Sequence, residues 1–325
     1  AAEDSWQSLL GQHLQQAARP LIVVLGPTAS GKTAFSLGVA KEIEKGIGEW
    51  KGADVVNADS RQLYRGLDIG TAKIREAEMQ NVPHHLLSVL KPTEELTIAR
   101  YKEMAEQSID AIFARKHVPI VVGGSMLYIS TIIDGLEPLS PADPKLRRKL
   151  EVAYDVDGGE SLYTELQQLD PEAAAAFHKN NKAYVIRAME IVESTGKPAS
   201  EQKKYSSCPY DLLIFGMQWP REEITKRIEA RTPKLLRDGW VREVLELKRK
   251  GCDASTPAMK SHGYREVLAA IDVFIVAHPD TTDTELIAAV SQDPALIALI
   301  DAKTRQYAKR QVTWWRHDGR INWIS

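Results

Sequence analysis

Leu21-Ile22-Val23-Val24-Leu25-Gly26-Pro27-Thr28-Ala29-Ser30-Gly31-Lys32-Thr33 carries an apolar, β-branched run straight into a glycine-framed turn. Residues 21–25 predict a buried strand, and residues 33–45, followed by Gly46 and Gly48 as stop signals, predict a helix. Between them, residues 26–33 fit G-x-x-x-x-G-K-[ST] in full, in the strand-before, helix-after setting the motif requires. Gly26 and Gly31 let the backbone amides of Thr28, Ala29 and Ser30 turn inward around phosphate oxygens, and the helix start adds partial positive charge. Lys32 supplies a full charge to the terminal phosphates, and the Thr33 hydroxyl is available to Mg2+. The loop implies an oligophosphate with magnesium. It does not say which oligophosphate, or whether the phosphate itself is transferred.

Four further apolar runs, at residues 53–57, 85–90, 118–122 and 210–218, predict strands. Most alternate with helix-like stretches, among them residues 98–115 with Ile98, Tyr101, Ala105, Ile109 and Ile112 at helical spacing. Buried runs joined by helices predict an α/β fold, an open parallel sheet with flanking helices. The alternation breaks at residues 136–205, which open near Pro138, Pro141 and Pro144 and read as nearly all helical. A connection that long is unusual and predicts an inserted helical subdomain, leaving 21–135 and 206–325 as the core and 1–20 as an extension. Helices are expected over 221–231, 233–250 and 294–316.

The 325 residues carry 42 basic and 44 acidic side chains, a net charge of −2, which excludes a uniformly basic polyanion binder but not a local basic patch. With 43% hydrophobic and 26% charged residues, a packed core is expected. Cys208 and Cys252 stand alone, with no metal-type spacing, which suits a reducing, cytoplasmic setting. No apolar run is long enough to span a membrane, and residues 1–20 lack the apolar core of a leader.

Ligands of an open α/β sheet gather beyond the carboxyl ends of its strands. Asp59, after the second strand, is therefore expected beside the phosphate loop. It has three readings there: a magnesium ligand, a proton acceptor, or a cap for the following turn. The fourth strand ends in Gly123-Gly124-Ser125, where a hydrolysing motor would often place an acid. Glycines and a hydroxyl suit a passive phosphate holder, or a plain strand-to-helix turn. His84 and His85 have no ligand-spaced partner and read as structural. In the last helix Arg305, Lys309, Val312 and Arg316 share a face, and residues 303–320 hold six basic residues and one acid. With Tyr307, Trp314 and Trp315 interleaved, this stretch suits either RNA or a solvated face over core tryptophans.

These pieces together resemble the tRNA dimethylallyltransferase family. The resemblance rests on GPTASGKT, on residues 57–73 (NADSRQLYRGLDIGTAK), 82–90 (VPHHLLSVL), 119–128 (PIVVGGSMLY), 170–197 and 303–316 (KTRQYAKRQVTWWR), in that order. The bacterial form is the nearer match, because no Cys/His zinc-finger pattern is present. The resemblance implies transfer of a dimethylallyl group from dimethylallyl diphosphate to N6 of adenine 37 in a tRNA anticodon stem-loop. Pyrophosphate leaves, and Mg2+ is the cofactor. It makes Asp59 the general base, with Lys32, Thr33 and Ser125 (a Thr in most members) stabilising the leaving group. It adds Lys260 and Arg265 to the diphosphate site. It places Asp59, Ser60, Arg61, Gln62, Ser125, Lys260, His262, Gly263, Tyr264, Arg265, Lys303, Arg305, Lys309 and Arg310 against tRNA. From the insert it adds Arg147, Ala183, Tyr184 and Arg187. The chain is expected to act as a monomer on an extruded base.

Three rivals remain at this stage. An isopentenyltransferase of free adenine nucleotides would share the loop and the acid but needs neither the insert nor the basic helix. A small-molecule kinase would need an acceptor site and an arginine-bearing lid. A non-catalytic RNA-binding protein would have no use for an intact Lys32, Thr33 and Asp59.

Overall fold

The computed structural model of the chain describes residues 5–136, 143–202 and 206–325. Pro138 and Pro141, expected to open the helical section, lie outside the described residues. The chain divides into two compact units, residues 1–133 with 209–325, and residues 134–208.

The larger unit is built on six parallel strands: β1 (Pro20–Leu25), β2 (Gly52–Asn57), β3 (His84–His85), β4 (His117–Gly123), β5 (Asp211–Met217) and β6 (Ile321–Ile324). Their order is β3-β2-β4-β1-β5-β6. β1 is buried at every position, as its uninterrupted apolar run requires of a strand covered on both faces. It pairs Ile22 with Ile120 of β4 and with Leu213 of β5. Helices α1 (Trp6–Gln16), α2 (Lys32–Glu44), α3 (Ile98–Ala114) and α4 (Met126–Ile133) accompany its first half. Within 1–20, α1 is capped by Ser5 and buries Leu10 and Leu14 in the core, so part of the extension belongs to the fold.

The strand expected over residues 85–90 shrinks to the two histidines. Leu86 and Ser88 have φ of 63° and 54°, which a strand excludes. The amides of Ser88 and Leu90 donate instead to the carbonyls of Gln62 and Leu63. The segment thus pairs with the turn after β2 rather than with the sheet. His85 is structural. With His117 and Arg115 it donates to Asp54, a side chain with no exposed surface, at 2.6, 2.7 and 2.5 Å. Burial alone pushes that carboxyl up, but the three donors hold it down at about 2.

The smaller unit contains α5 (Pro144–Asp157), α6 (Glu160–Leu169), α7 (Pro171–Ala176), α8 (Lys182–Thr195) and α9 (Ala199–Gln202). Leu150, Leu166, Val185 and Met189 form its own core. After β5 come α10 (Arg221–Arg237), α11 (Trp240–Arg249), α12 (Tyr264–Ala277), α13 (Asp283–Ser291) and α14 (Pro294–Trp315). The break expected at Pro233 does not occur. α10 runs through it, packed against α14, and stops at Gly239, whose φ of 113° suits glycine. Among the described residues no helix is long and apolar enough to cross a membrane.

Candidate active site

The phosphate loop sits between the carboxyl end of β1 and the first turn of α2, and neighbours from distant parts of the chain fix its peptides. Trp219 Nε1 donates to the Ser30 carbonyl at 2.9 Å, and the Thr28 amide donates to Gln311 Oε1 at 3.1 Å. Lys32 Nζ donates to the Pro27 carbonyl at 2.7 Å. Among the described residues the buried Ser30 hydroxyl has no partner, so the loop holds one donor in reserve. A cavity of about 310 Å3 opens over Thr28–Thr33 and is walled as well by Asp59, Arg61, Gln62, Arg227 and Arg231.

Arg227 and Arg231, neither expected from the sequence, complete the site. Arg227 lies 3.7 Å over the Trp219 ring and is paired with Glu223 at 2.8 Å. Arg231 donates only to neutral oxygens, the Thr28 hydroxyl and the Thr71 carbonyl, both at 3.3 Å. Among the described residues it has no carboxylate partner. Lys32, Arg61 and Arg231 therefore face the single carboxylate of Asp59, three positive charges to one negative. Burial pushes the Lys32 amine down to about 8; Asp59 opposes this, and Arg231 and Arg61 add to it. Burial also lowers Arg231 from its ordinary value, and Arg61 lowers it further. A pocket with two surplus positive charges is built for a polyanion.

The same shift makes a pH prediction. Lys32 is protonated in the free site below about 8, so affinity for pyrophosphate is expected to fall as pH rises through that value, approaching about tenfold per pH unit. The unfolded chain holds this proton to near 10.5, so between about 8 and 10.5 it binds more protons than the fold. Stability of the ligand-free chain therefore gains from Lys32 across that window as pH rises. Calorimetric titration with magnesium pyrophosphate from pH 7 to 10 checks the first claim, and thermal melts of the ligand-free chain check the second.

Asp59 caps its turn, as one of its readings has it, and also reaches the cavity. Its Oδ1 accepts from the Arg61 amide at 2.9 Å, capping the turn, while the carboxylate stays 29% exposed at the cavity wall. Asn57 secures that turn by accepting from the Asp59 amide at 3.0 Å and donating to the Leu86 carbonyl at 3.0 Å. The end of β4 presses on the same turn. A Cβ on Gly123 would stand 2.3 Å from the Ala58 carbonyl carbon and oxygen, which explains glycine where an acid was absent. Ser125 is half-buried just beyond, its amide donating to the Ala58 carbonyl at 3.2 Å. It adjoins the cavity without forming its wall.

Of the other expected residues, Ser60, Arg61 and Gln62 follow Asp59, and Gln62 Nε2 donates to the Thr71 carbonyl at 3.2 Å. Arg61 approaches His262 Nδ1 at 3.1 Å and stacks over Tyr307 at 5.6 Å. Burial, reinforced by Arg61, pushes the His262 ring down to about 3, so it is neutral. Lys260 and Arg265 depart from the diphosphate expectation. Both are exposed, outside the cavity wall, with Arg265 donating to the Lys260 carbonyl at 3.2 Å. Arg231, unlike them, lines the cavity. Gly263 and Tyr264 depart from the RNA expectation: both are buried, and Tyr264 donates to Glu243 Oε1 at 2.5 Å.

Lys309 and Arg310 are exposed on α14, while Lys303 and Arg305 pair with Glu266 and Glu229. Trp314 is exposed and Trp315 buried, so the helix divides its aromatics between solvent and core. In the smaller unit Ala183 and Tyr184 are exposed. Arg147 and Arg187 both donate to Glu190, at 2.8 and 2.9 Å. Glu190 itself is 1% exposed, so the two guanidiniums meet a buried carboxylate.

Thr33 is exposed at the start of α2 and lines the cavity, where Asp59 is the one carboxylate among the described residues. Among the described residues no group of three His, Cys, Asp or Glu side chains could hold a metal. Few protein oxygens beside a phosphate cradle is the donor chemistry of Mg2+, which keeps most of its shell as water and ligand phosphate.

An open parallel sheet with this loop, a cation-rich cavity and a carboxylate at the next strand end defines a phosphate-loop protein whose cavity suits a polyanion. More narrowly, the chain belongs to the IPP transferase family, whose profile matches residues 62–318. It is 38% identical to the tRNA dimethylallyltransferase of Geobacter sulfurreducens, over 94% of this chain and 91% of that one. It is 39% identical to the enzyme of that name from Geobacter metallireducens, over 94% and 92%. The fold is similar to the full-length tRNA isopentenylpyrophosphate transferase from Bacillus halodurans, with a TM-score of 0.62 and 32% identity over 94% of this chain and 89% of that one. It is also similar to a eukaryotic dimethylallyltransferase solved acting on tRNA, with a TM-score of 0.72 and 25% identity over 94% and 74%.

Proposed function

We propose that the chain transfers a dimethylallyl group from dimethylallyl diphosphate to N6 of adenine 37, in tRNAs reading codons that begin with U, and releases pyrophosphate. The observation that carries this reading is the surplus of positive charge over the phosphate loop, with one carboxylate at its edge. The allylic C–O bond breaks as the N6–C bond forms. Negative charge gathers on the departing pyrophosphate, where Lys32 and Arg231 already line the cavity, so little reorganisation is needed. Asp59 accepts the proton that N6 loses. Thr33 is the residue to hold Mg2+, which supplies further charge neutralisation when bound. Ser125, just beyond β4, offers its hydroxyl to the leaving oxygen. The exposed Lys309 and Arg310 meet phosphates of the RNA, and the smaller unit, through Arg147, Ala183, Tyr184 and Arg187, meets the anticodon stem-loop. The chain works as a monomer in the cytoplasm.

The test is incubation with radiolabelled dimethylallyl diphosphate, Mg2+ and an unmodified anticodon stem-loop containing A36-A37-A38. Label is expected on the RNA, without ATP. Label on free AMP alone would transfer the site to nucleotide prenylation, and phosphate transfer from ATP to a small molecule would make it a kinase.

A further inference from the structure

Gln311 lies on α14 and is 1% exposed. Its amide spans two loops: Oε1 accepts from the Thr28 amide at 3.1 Å, and Nε2 donates to the Gly124 carbonyl at 2.8 Å. The partners fix which atom is which, since an N–H only donates and a carbonyl only accepts. The Tyr307 hydroxyl donates to the same Gly124 carbonyl at 3.2 Å. A Cβ on Gly124 would lie 2.1 Å from Gln311 Nε2, so the side chain reaches its place only because that position is glycine. The contact commits the Thr28 amide to the helix rather than to a ligand. The Thr28 hydroxyl in turn receives Arg231 at 3.3 Å. One side chain therefore sets the orientation of a loop peptide and, through it, of a cation at the diphosphate site. On the same helix Lys309 and Arg310 face solvent.

We propose that Gln311 is a positioning residue that locks the phosphate loop and the end of β4 to α14, so that RNA held on the basic face of α14 tightens the grip on diphosphate. The second half rests on the reading that RNA lies against α14; the first does not. Coupling of this kind is reciprocal: pyrophosphate must tighten RNA by the same factor.

The experiment is calorimetric titration of magnesium pyrophosphate into the full chain, with and without the unmodified anticodon stem-loop, for wild type, Gln311→Glu and Gln311→Ala. Steady-state KM and kcat and a melting temperature are measured alongside. Gln311→Glu keeps the shape and the acceptor for Thr28 but sets a carboxylate oxygen against the Gly124 carbonyl. Gln311→Ala leaves the Thr28 amide unpaired and the Gly124 carbonyl with Tyr307 alone. The pyrophosphate Kd and the KM for dimethylallyl diphosphate are expected to rise about tenfold in Gln311→Glu, the worth of one hydrogen bond with an unmatched partner. Its kcat at saturating diphosphate should stay within about threefold, a binding effect without a chemical one. RNA affinity without pyrophosphate should stay at wild type, and the tightening of pyrophosphate by RNA should disappear. A folded Gln311→Glu with wild-type pyrophosphate affinity would overturn the proposal, whatever its melting temperature. Absence of mutual tightening in wild type would overturn the coupling even if both variants failed to fold. If wild type did not bind the RNA at all, the reading of α14 would fall, while the pyrophosphate titrations would still decide the role of Gln311.

Discussion

Asp59→Ala is expected to remove about two to four orders of magnitude of prenyl transfer, the usual worth of a positioned base, while RNA affinity stays within about threefold. The carboxylate lies at the carboxyl end of β2, secured from Asn57 and pressed by the end of β4. It is the single negative group facing three cations, and so the group able to take a proton without leaving the cavity more positive than a departing pyrophosphate can balance. Its Oδ1 also caps the turn through the Arg61 amide, so alanine removes two things together. Asp59→Asn separates them. The amide oxygen still accepts from Arg61 but cannot accept a proton from N6. Single-turnover rates with saturating stem-loop and dimethylallyl diphosphate should be as low for Asn as for Ala, while the melting temperature recovers only for Asn. A rapid Asn variant would reduce Asp59 to a turn cap and remove it from the chemistry.

What the sequence displayed and what it hid follow one physical rule. The phosphate loop is contiguous: Gly26, Gly31, Lys32 and Thr33 carry their geometry in their own spacing, so they could be read before any fold existed. Asp59 was legible at one remove, because a parallel sheet delivers its strand ends to one edge. Arg231 was not. An arginine on an amphipathic helix looks the same whether it is solvated or folded over a cavity, and only packing of α10 decides. Residues 86–90 failed for the same kind of reason. Leu86-Leu87-Ser88-Val89-Leu90 has the composition of a strand, but its amides are claimed by Gln62 and Leu63, and the backbone turns to meet them. Glu190 reads as a solvated helix position, yet Arg147 and Arg187 converge on it from two helices and make its burial tolerable. Gln311, in the middle of the basic stretch, gave no local sign that it closes over a loop almost three hundred residues away in sequence. Non-local contacts of this kind have no signature in one chain's spacing.

Arg231→Met is expected to move activity and stability in opposite directions. The guanidinium is half-buried and hydrogen-bonded only to two neutral oxygens, and burial and Arg61 together disfavour its charge more than Asp59 favours it. In the ligand-free chain it is a cost, and a methionine of similar length fills the same space without it. Removing an unmatched charge of this kind is worth about 1 kcal/mol, which for a unit of this size raises the melting temperature by about 2–4 °C. When the allylic C–O bond breaks, the balance reverses. The charge that strained the empty site lies where the pyrophosphate gains its own, and losing one such preorganised donor costs about two to three orders of magnitude in rate. The pair of measurements, a melting curve without ligand and a single-turnover rate with saturating diphosphate, tests one claim from two sides. A variant both less stable and nearly as active would mean that Arg231 supports the fold of α10. A variant both more stable and fully active would mean that the surplus charge belongs to no anion. The expected result, more stable and nearly inactive, follows only if the site is held short of its folding optimum by the group that makes it fit a leaving pyrophosphate.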